Sequence, residues 1–359
     1  MPTVIALPWT RYYIILGALA EQMEIQAAGR TVSVSNPDKV FFSKRGETKA
    51  DLISYYLAIE VPLMAAMGGR PVLMERYPDG AGGKSFFQKR VPKGAPEWVR
   101  TMTVATPNGT MSNALVVDDI AHVVWAVQMG CLGFHVWPSK AVDPAHADEL
   151  RIDLDPQSGV SFDEVKEAAL ETRAAFDELG MASYVKTSGS RGLHVYVPLL
   201  AKWNSITVRA AAVAMARELA WRRPDLVTDA WWKEERGQRV FIDYNQNAPH
   251  KTVFGAWSVR PRVGAVVSTP IDWDDVAGGA SFGELKPDEL TIQTVPARVA
   301  ERGNPWVEMA DSAVSLEPLL EWVRRDLDKG LMDAPWPPQY PKMPGEPPRV
   351  APSRAKSES

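Results

Sequence analysis

Cysteine, histidine and long apolar runs are scarce in this chain. Cys131 is the single cysteine among 359 residues, which excludes an internal disulfide and a thiolate-rich metal site. We expect it to be a buried apolar side chain in a cytoplasmic protein. The apolar run within residues 12–20 is too short to span a bilayer, and Arg11 makes a weak signal-peptide start. We therefore predict no membrane partner and an N-terminal extension over residues 1–22, with Met23 as an alternative start.

The chain also lacks the positive net charge that is typical of nucleic-acid binders, because its formal charge is −4. The charge is uneven, however. Between Arg30 and Arg100 there are 12 Lys and Arg against 7 Asp and Glu. A basic region inside an acidic chain can form a phosphate-binding face. The hydrophobic fraction of 45% supports a substantial core.

Two aspartates alternate with aliphatic residues in the segment Leu150–Pro156. Alternate side chains leave a strand on opposite faces, so Asp153 and Asp155 share one face of a predicted strand. Pro156 has no N–H to continue the ladder. Two neighbouring carboxylates repel one another unless a cation lies between them, and Mg²⁺ or Mn²⁺ is the usual partner of such oxygens. The alternative is an edge strand with two solvated acids.

A third acid, Asp243, lies in the apolar strand 240–245. An unpaired carboxylate there is costly, so we interpret it as a third metal ligand; a surface or hydrogen-bonded acid is the alternative. The small, cationic segment 187–194 precedes another strand, and its hydroxyls and backbone N–H groups can cradle phosphates. An ordinary hairpin turn is equally compatible with that segment. The nucleotide-binding candidates of these regions are Ser188, Ser190, Arg191, His194, Lys251 and Arg260.

The hydrophobic periodicity mixes strands and helices without strict alternation, which predicts an α+β fold with a largely antiparallel, two-sheet core. Capping boxes begin helices at Thr48 and Ser161. The strands are predicted at 32–35, 70–77, 133–137, 150–156, 182–186, 193–199, 239–244 and 253–259, and the helices at 48–68, 118–131, 161–180 and 205–221.

Four regions are expected along the chain. The extension 1–22 precedes a catalytic domain over 23–300, in which 31–145 carries the basic face and 146–275 carries the metal and nucleotide sites. A helical segment over 301–332 follows. The tail over 333–359 is predicted to be extended or disordered, because its eight prolines cannot build a core.

Together these residues resemble the archaeo-eukaryotic primase superfamily. The strand 152–155, the Gly192-Leu193-His194 segment and the Ile242-Asp243 pair are similar to its three motifs. More narrowly, residues 188–194 and 243–247 resemble the polymerase domain of bacterial ligase D, over roughly 31–275. The resemblance implies two-metal nucleotidyl transfer with Mn²⁺ or Mg²⁺, in which Asp153, Asp155 and Asp243 hold the ions.

The resemblance also implies a set of DNA contacts. Lys39 and Lys49 have the spacing of two lysines that hold a 5′-phosphate in relatives, and Phe86 and Phe87 resemble an aromatic pair that packs on template bases, a sequence-tolerant contact. We expect at least one of these rings to be in the core. Other residues of this region implied in binding are Lys84 and Lys89 for DNA and His135 for the nucleotide. Many relatives have Lys at the position of Arg191. The arginine of this chain keeps the positive charge and adds a forked donor.

No ligase lysine motif and no phosphoesterase histidine cluster is present. We therefore expect a stand-alone primase-polymerase, in the bacterial cytoplasm and on the nucleoid, that fills short gaps or ends bearing a 5′-phosphate in base excision repair or non-homologous end joining. Its expected partners are gapped DNA, ribo- and deoxynucleoside triphosphates, with ribonucleotides preferred, and a separate ATP-dependent ligase such as ligase C. A de novo primase and a non-catalytic DNA-end scaffold that recruits a ligase are the alternatives.

Overall fold

A computed structural model describes residues 3–6, 13–16, 22–106, 109–278, 284–351 and 353. It confirms the predicted mixed architecture with two main sheets, both almost entirely antiparallel. The strands are β1 (Thr3–Ala6), β2 (Tyr13–Leu16), β3 (Gln22–Ala27), β4 (Arg30–Ser35), β5 (Val40–Phe42), β6 (Glu47–Thr48), β7 (Arg70–Arg76), β8 (Phe86–Gln88), β9 (Thr101–Ala105), β10 (Met111–Val117), β11 (Cys131–Val136), β12 (Ala147–Pro156), β13 (Tyr184–Thr187), β14 (Leu193–Trp203), β15 (Val227–Thr228), β16 (Val240–Asp243), β17 (Val253–Phe254) and β18 (Pro270–Ile271).

Eight α-helices lie in the described ranges. They are α1 (Lys49–Ala58), α2 (Glu60–Met67), α3 (Ile120–Gln128), α4 (Phe162–Glu178), α5 (Ser205–Arg222), α6 (Trp273–Ala277), α7 (Val295–Arg302) and α8 (Glu317–Asp328). Both predicted capping boxes form: Thr48 pairs with Asp51 at α1, and Ser161 with Glu164 at α4. None of the described helices is by itself long and apolar enough to cross a bilayer, although the bent α1–α2 pair passes on length and composition.

Two sheets of six strands form the body. The first has the order β17-β11-β7-β10-β9, with β8 added to β7. The second has the order β15-β16-β12-β14-β13-β18, and only its β15–β16 pair is parallel. The β12 strand lies inside this second sheet, because β14 and β16 both pair with it. A residue on β12 therefore faces side chains from two neighbouring strands at once.

A smaller antiparallel sheet in the order β1-β2-β3-β4 lies at the N-terminus. The extension predicted over 1–22 thus includes two strands that continue the sheet of β3, and its other residues up to 21 lie outside the described ranges. The α7 helix crosses the predicted boundary at 300, and α8 lies within the predicted helical segment 301–332.

Three predicted elements break or end before their expected C-terminal bounds. The helix expected over 48–68 breaks at Ile59 with a bend of 79°, because the ring of Pro62 would clash with the carbonyl of residue 58 in a continuous helix. The strand expected over 253–259 ends at Phe254, and Trp257 adopts a positive φ of 65°. The helix expected over 118–131 ends at Gln128, and Cys131 already begins β11.

The proline-rich segment corrects another prediction. It has no long regular element over the described residues 333–351, but Trp336 and Tyr340 are buried and pack with Ala248. Disorder was therefore the wrong prediction for this part of the tail. The prolines do prevent helix and strand, but the aromatic side chains between them bury enough apolar surface to fix the segment against the body.

Candidate active site

The three aspartates singled out in the sequence come from neighbouring strands. Asp153 on β12 lies directly opposite Asp243 on β16, and on its other side it lies opposite His194 on β14. Asp155 is on the same face as Asp153, two residues farther along β12. The aliphatic neighbours Ile152 and Leu154 are fully buried on the opposite face. The alternation in the sequence thus directs all the carboxylates to one side and the apolar residues to the core.

Burial raises the pKa of two of these acids. Burial, followed by the charges of Asp243 and Asp155, raises the pKa of Asp153 to about 8, against the opposing effect of Lys186 and Arg260. Burial also raises the pKa of Asp243. Asp153 and Asp243 therefore resist being ionised together, and a divalent cation between them removes that penalty.

Protein donors hold Asp243, and an imidazole lies beside Asp153. The backbone N–H of Asn245 donates to Asp243 Oδ1 at 3.0 Å, and Gln246 Nε2 donates to Oδ2 at 2.8 Å. His194 Nε2 lies 3.3 Å from Asp153 Oδ1. Its Nδ1 is buried with no hydrogen-bond partner among the described residues, and burial holds the pKa of His194 well below its usual value. His194 is therefore a neutral imidazole.

The donor set fits a hard divalent cation in kind. Carboxylate oxygens are the ligands that Mg²⁺ and Mn²⁺ prefer, and Asp153, Asp155 and Asp243 are the residues that would hold the ion. Over the described residues, no three Asp, Glu, His or Cys side chains converge as a formed metal centre. Asp243 also accepts hydrogen bonds from Asn245 and Gln246, so two donors fix the orientation of its carboxylate.

The loop between β13 and β14 is tightly built. Ser188 Oγ accepts the backbone N–H groups of Ser190 and Gly192, both at 3.1 Å. A Cβ on Gly192 would lie 2.3 Å from the carbonyl oxygen of Leu154, so the loop packs directly on β12. Arg191 is exposed, and its Nη2 lies 3.4 Å from the carbonyl of Pro156. The predicted phosphate loop thus lies beside the carboxylates, with its charged side chain toward solvent.

Cationic side chains border the acids on the side of the first sheet. Arg260 donates through Nε to the carbonyl of Ser188 at 2.6 Å and stacks on Phe254 at 3.8 Å. Burial lowers the pKa of Arg260 to about 10, and the charge of Asp153 opposes this shift. The positive charge of Lys251 opposes the rise that burial causes in the pKa of Asp243.

His135 lies on β11 opposite Phe254 on β17. Its Nε2 is 3.1 Å from Glu75 Oε2, and its ring meets those of Phe87 and Phe254 edge-on, with centroids 5.3 and 5.2 Å away. His135 therefore connects the candidate nucleotide residues near Arg260 with the candidate template residue Phe87.

Both rings of the Phe86-Phe87 pair are in solvent, with exposed fractions of 46% and 53%. The prediction that at least one would be core is wrong. The reason is that β8, among the strands of the described ranges, pairs only with β7, at the margin of the sheet. Phe86 lies under the guanidinium of Arg76, 5.1 Å from its ring centroid. Lys84 and Lys89, on either side, are also exposed.

The two lysines expected at a 5′-phosphate differ in their surroundings. Lys39 is partly exposed and forms an ion pair with Asp79 at 3.0 Å. Lys49 is buried, and its Nζ donates to the carbonyl of Ser35 at 2.6 Å and to Gln128. Burial, with a smaller effect of Lys39, lowers the pKa of Lys49 to about 8. Lys39 is accessible to a ligand beside its partner Asp79, whereas Lys49 is buried against its protein acceptors.

Sequence reasoning missed two cations near the acids. Lys186 on β13 is fully buried. It lies opposite His194 of β14 and donates to Ser268 Oγ. A lysine at the end of a predicted strand, directly after Val185, was the available signal. Arg236 is buried over the ring of Phe241 at 3.5 Å, and the charges of Asp243 and Asp155 act on it. It lies in a loop of mixed charge that gave no signal.

Comparisons with known proteins point to one family. The family model described as LigD, primase-polymerase domain, matches residues 48–306. The multifunctional non-homologous end joining protein LigD of Mycolicibacterium smegmatis is 32% identical over 301 residues, which are 80% of this chain and 39% of that protein. The bifunctional LigD of Bacillus subtilis is 30% identical over 272 residues, 76% of this chain and 43% of its own length.

A solved structure has the same fold. The polymerase domain of Mycobacterium tuberculosis ligase D, in complex with DNA, aligns with a TM-score of 0.73 and 30% identity, covering 79% of this chain and 99% of that domain. The chain spans about two fifths of the length of the multifunctional proteins that it matches.

Proposed function

Since the chain belongs to the LigD primase-polymerase domain family, we propose that it is a template-directed nucleotidyltransferase that fills short gaps or ends bearing a 5′-phosphate. The observation that carries the proposal is the facing pair Asp153 and Asp243, with Asp155 beside them and Arg260 at their border. Carboxylates next to a cationic wall are what transfer of a nucleotide from a triphosphate needs.

In this proposal Asp153, Asp155 and Asp243 hold two divalent ions, of which Mn²⁺ is the preferred species. When bound, such ions lower the pKa of the primer 3′-hydroxyl and stabilise the attacking and leaving oxygens. Asn245 and Gln246 orient Asp243 by hydrogen bonds at 3.0 and 2.8 Å.

The triphosphate has its own set of candidate contacts. Arg191 and Arg260 offer forked donors to its oxygens, and neutral His194 can exchange a hydrogen bond with the sugar or phosphate without adding charge. The remaining residues assigned to the nucleotide are Ser188, Ser190, Lys251 and His135. A preference for ribonucleotides belongs to the same proposal.

The DNA contacts are assigned to the basic face within residues 31–145. The exposed rings of Phe86 and Phe87 offer stacking surfaces for template bases, which suits an enzyme that must act on any sequence. Lys39 and Lys49 are assigned to the 5′-phosphate, with Lys49 exchanging its contact with Gln128 for one with the phosphate. Lys84 and Lys89 add phosphate contacts beside the rings.

The proposal extends to the cell. The relatives are bacterial proteins named for non-homologous end joining, and we assign this chain to repair on the bacterial nucleoid, in the cytoplasm, with an ATP-dependent ligase that seals its product. De novo priming stays the alternative enzyme function, although the single cysteine of the sequence, Cys131, gives it no support. A non-catalytic scaffold is disfavoured because Asp153, Asp155 and Asp243 are intact.

The test is extension of a labelled primer across a short gap, with and without a downstream 5′-phosphate, in Mn²⁺ and with ribo- or deoxynucleotides. We expect phosphate-dependent synthesis that favours ribonucleotides. Tight binding of the same gapped DNA without any synthesis would instead support the scaffold.

A further inference from the structure

The position of Asp243 depends on the turn that follows it. A single turn of 3-10 helix over Tyr244–Asn247 begins directly after β16. Within it, the backbone N–H of Asn245 donates to Asp243 Oδ1 and the side chain of Gln246 donates to Oδ2. Any movement of Asn245 therefore moves a hydrogen bond of the carboxylate.

The side chain of Asn245 is held from two directions. Its Oδ1 accepts from Nε of Arg209 on α5 at 2.7 Å. Its Nδ2 donates to the carbonyl of Pro335 in the tail at 3.0 Å. Asn245 is almost completely buried, so these partners are not interchangeable with solvent.

Arg209 is in turn held by the tail. It is 1% exposed. Nη1 pairs with Asp333 Oδ1 at 2.9 Å, and Nη2 donates to the carbonyls of Ala334 and Pro335 at 2.9 and 3.2 Å. The guanidinium carbon lies 3.9 Å from the ring centroid of Trp336, which is itself fixed by a 2.7 Å bond from Nε1 to Asp333 Oδ2.

A continuous chain of contacts thus connects the tail to the carboxylate. It runs from Trp336 and Asp333 through Arg209 and Asn245 to Asp243. The family match ends at residue 306, so the tail members of this chain lie outside the matched region. The buried guanidinium has fixed geometry because each of its three nitrogens donates to a protein acceptor.

We propose that the segment Asp333–Trp336 is a positioning element for the active site, which sets the orientation of Asp243 through Arg209 and Asn245. The inference rests on the proposed polymerase function. Asp333 and Trp336 are positioning residues, since neither touches the acids. Without the ring and the carboxylate, Arg209 loses partners on two sides, the turn shifts, and Asp243 holds its ion less well.

The experiment compares Trp336→Ala with Trp336→Phe in gap extension by the full chain, and measures kcat, KM for gapped DNA and the Mn²⁺ concentration giving half-maximal rate. For Trp336→Ala we expect kcat to fall about tenfold, because small misplacements of catalytic groups cost factors of this order or more. The half-maximal Mn²⁺ concentration should rise while KM for DNA stays unchanged. Trp336→Phe, which keeps a ring over Arg209, should recover most of the loss.

Tyr340→Phe is the matched control. It removes a tail hydroxyl that donates to the carbonyl of Pro249 but has no place in the chain of contacts. Its kcat and Mn²⁺ dependence should match the wild type even where the melting temperature falls. An unchanged Mn²⁺ dependence in Trp336→Ala, or equal effects in Tyr340→Phe, would overturn the proposal and leave the tail a stabilising strap.

Two further measurements separate the possible failures. Should Trp336→Ala not fold, Asp333→Asn removes the charge opposite Arg209 with little change of shape, and the same results decide. Hydrogen exchange at the backbone amide of Asn245 should be faster than in the wild type in whichever of Trp336→Ala and Asp333→Asn folds. This holds even if the wild type extends no primer. Faster exchange without wild-type synthesis would reject the polymerase function but keep the structural link; synthesis with unchanged exchange would reject the link.

Discussion

Asp155 is the most exposed of the three carboxylates, so its substitution should disturb the fold least. For Asp155→Ala we predict that primer extension falls more than about 100-fold. Removal of a residue that only supports a metal ligand typically costs roughly 10–100-fold, and Asp155 is assigned as a ligand itself. DNA binding should be retained, because the change removes a negative charge that repels phosphates. Asp177→Ala, which removes an exposed acid on α4, is the control and should extend normally. Equal losses of synthesis and DNA binding in Asp155→Ala would contradict the assignment.

Lys49 should leave a signature in the pH dependence of stability. Burial lowers its pKa from an ordinary 10.5 to about 8 in the folded protein, so between these values the unfolded chain binds more protons. Stability contributed by the neutral lysine therefore increases with pH across that window. We predict that the free energy of unfolding of the wild type, measured relative to Lys49→Met, rises from pH 8 to pH 10.5. A flat difference in urea unfolding would show that Lys49 is solvated.

At the scale of elements, the hairpin β13–β14 is locked onto β12 by Gly192. A methyl group there would lie 2.3 Å from the Leu154 carbonyl oxygen, and backbone cannot yield cheaply. We predict that Gly192→Ala lowers the free energy of unfolding by about 1–3 kcal/mol and lowers extension at least tenfold, since β14 carries His194 next to Asp153.

Gly180→Ala provides the comparison for Gly192. Its φ is +64°, and among the described residues no neighbouring atom lies within 4 Å of the place that an added methyl group would take, so only backbone strain of about 1 kcal/mol is expected. Activity should survive. Denaturant unfolding and gap extension of both variants would test the claim, which fails if the two glycines respond alike.

Elements with local causes were predictable from the sequence. The capping boxes at Thr48 and Ser161 and the alternation around Asp153 depend on residues within a few positions, and the structure has them as expected. The prediction that Asp243 and the Ser188 loop lie beside the strand of Asp153 relied on the family resemblance. Spacing in the sequence alone does not specify the order of strands in a sheet.

Features with distant causes were not predictable. Lys49 is buried by Ser35 and Gln128, and Arg209 by a tail segment more than 120 residues away. Composition identified the tail as proline-rich but gave no indication that Trp336 would pack on the buried guanidinium of Arg209. Such pairings follow from tertiary packing, which a local pattern does not contain.

At the scale of the whole molecule, a net charge of −4 coexists with a basic stretch between Arg30 and Arg100. DNA binding by such a surface should weaken with salt, since each phosphate contact releases a counterion. We predict that Lys39→Gln reduces the slope of log K against log salt by about 0.9. Lys329→Gln, at the exposed end of α8, should leave the slope unchanged. Identical slopes in all three proteins would remove Lys39 from the DNA contacts.

The pairing of Asp153 with Asp243 also limits how this chain can evolve. Their alignment depends on a register in which Leu154 faces Ile242 and Asp155 faces Phe241. One inserted or deleted residue within β16 would turn Asp243 into the apolar core, while many substitutions at the same positions would leave its direction intact. Natural variation in length should therefore accumulate in the connecting loops. Within β12 and β16, substitutions should be tolerated, whereas insertions and deletions should not.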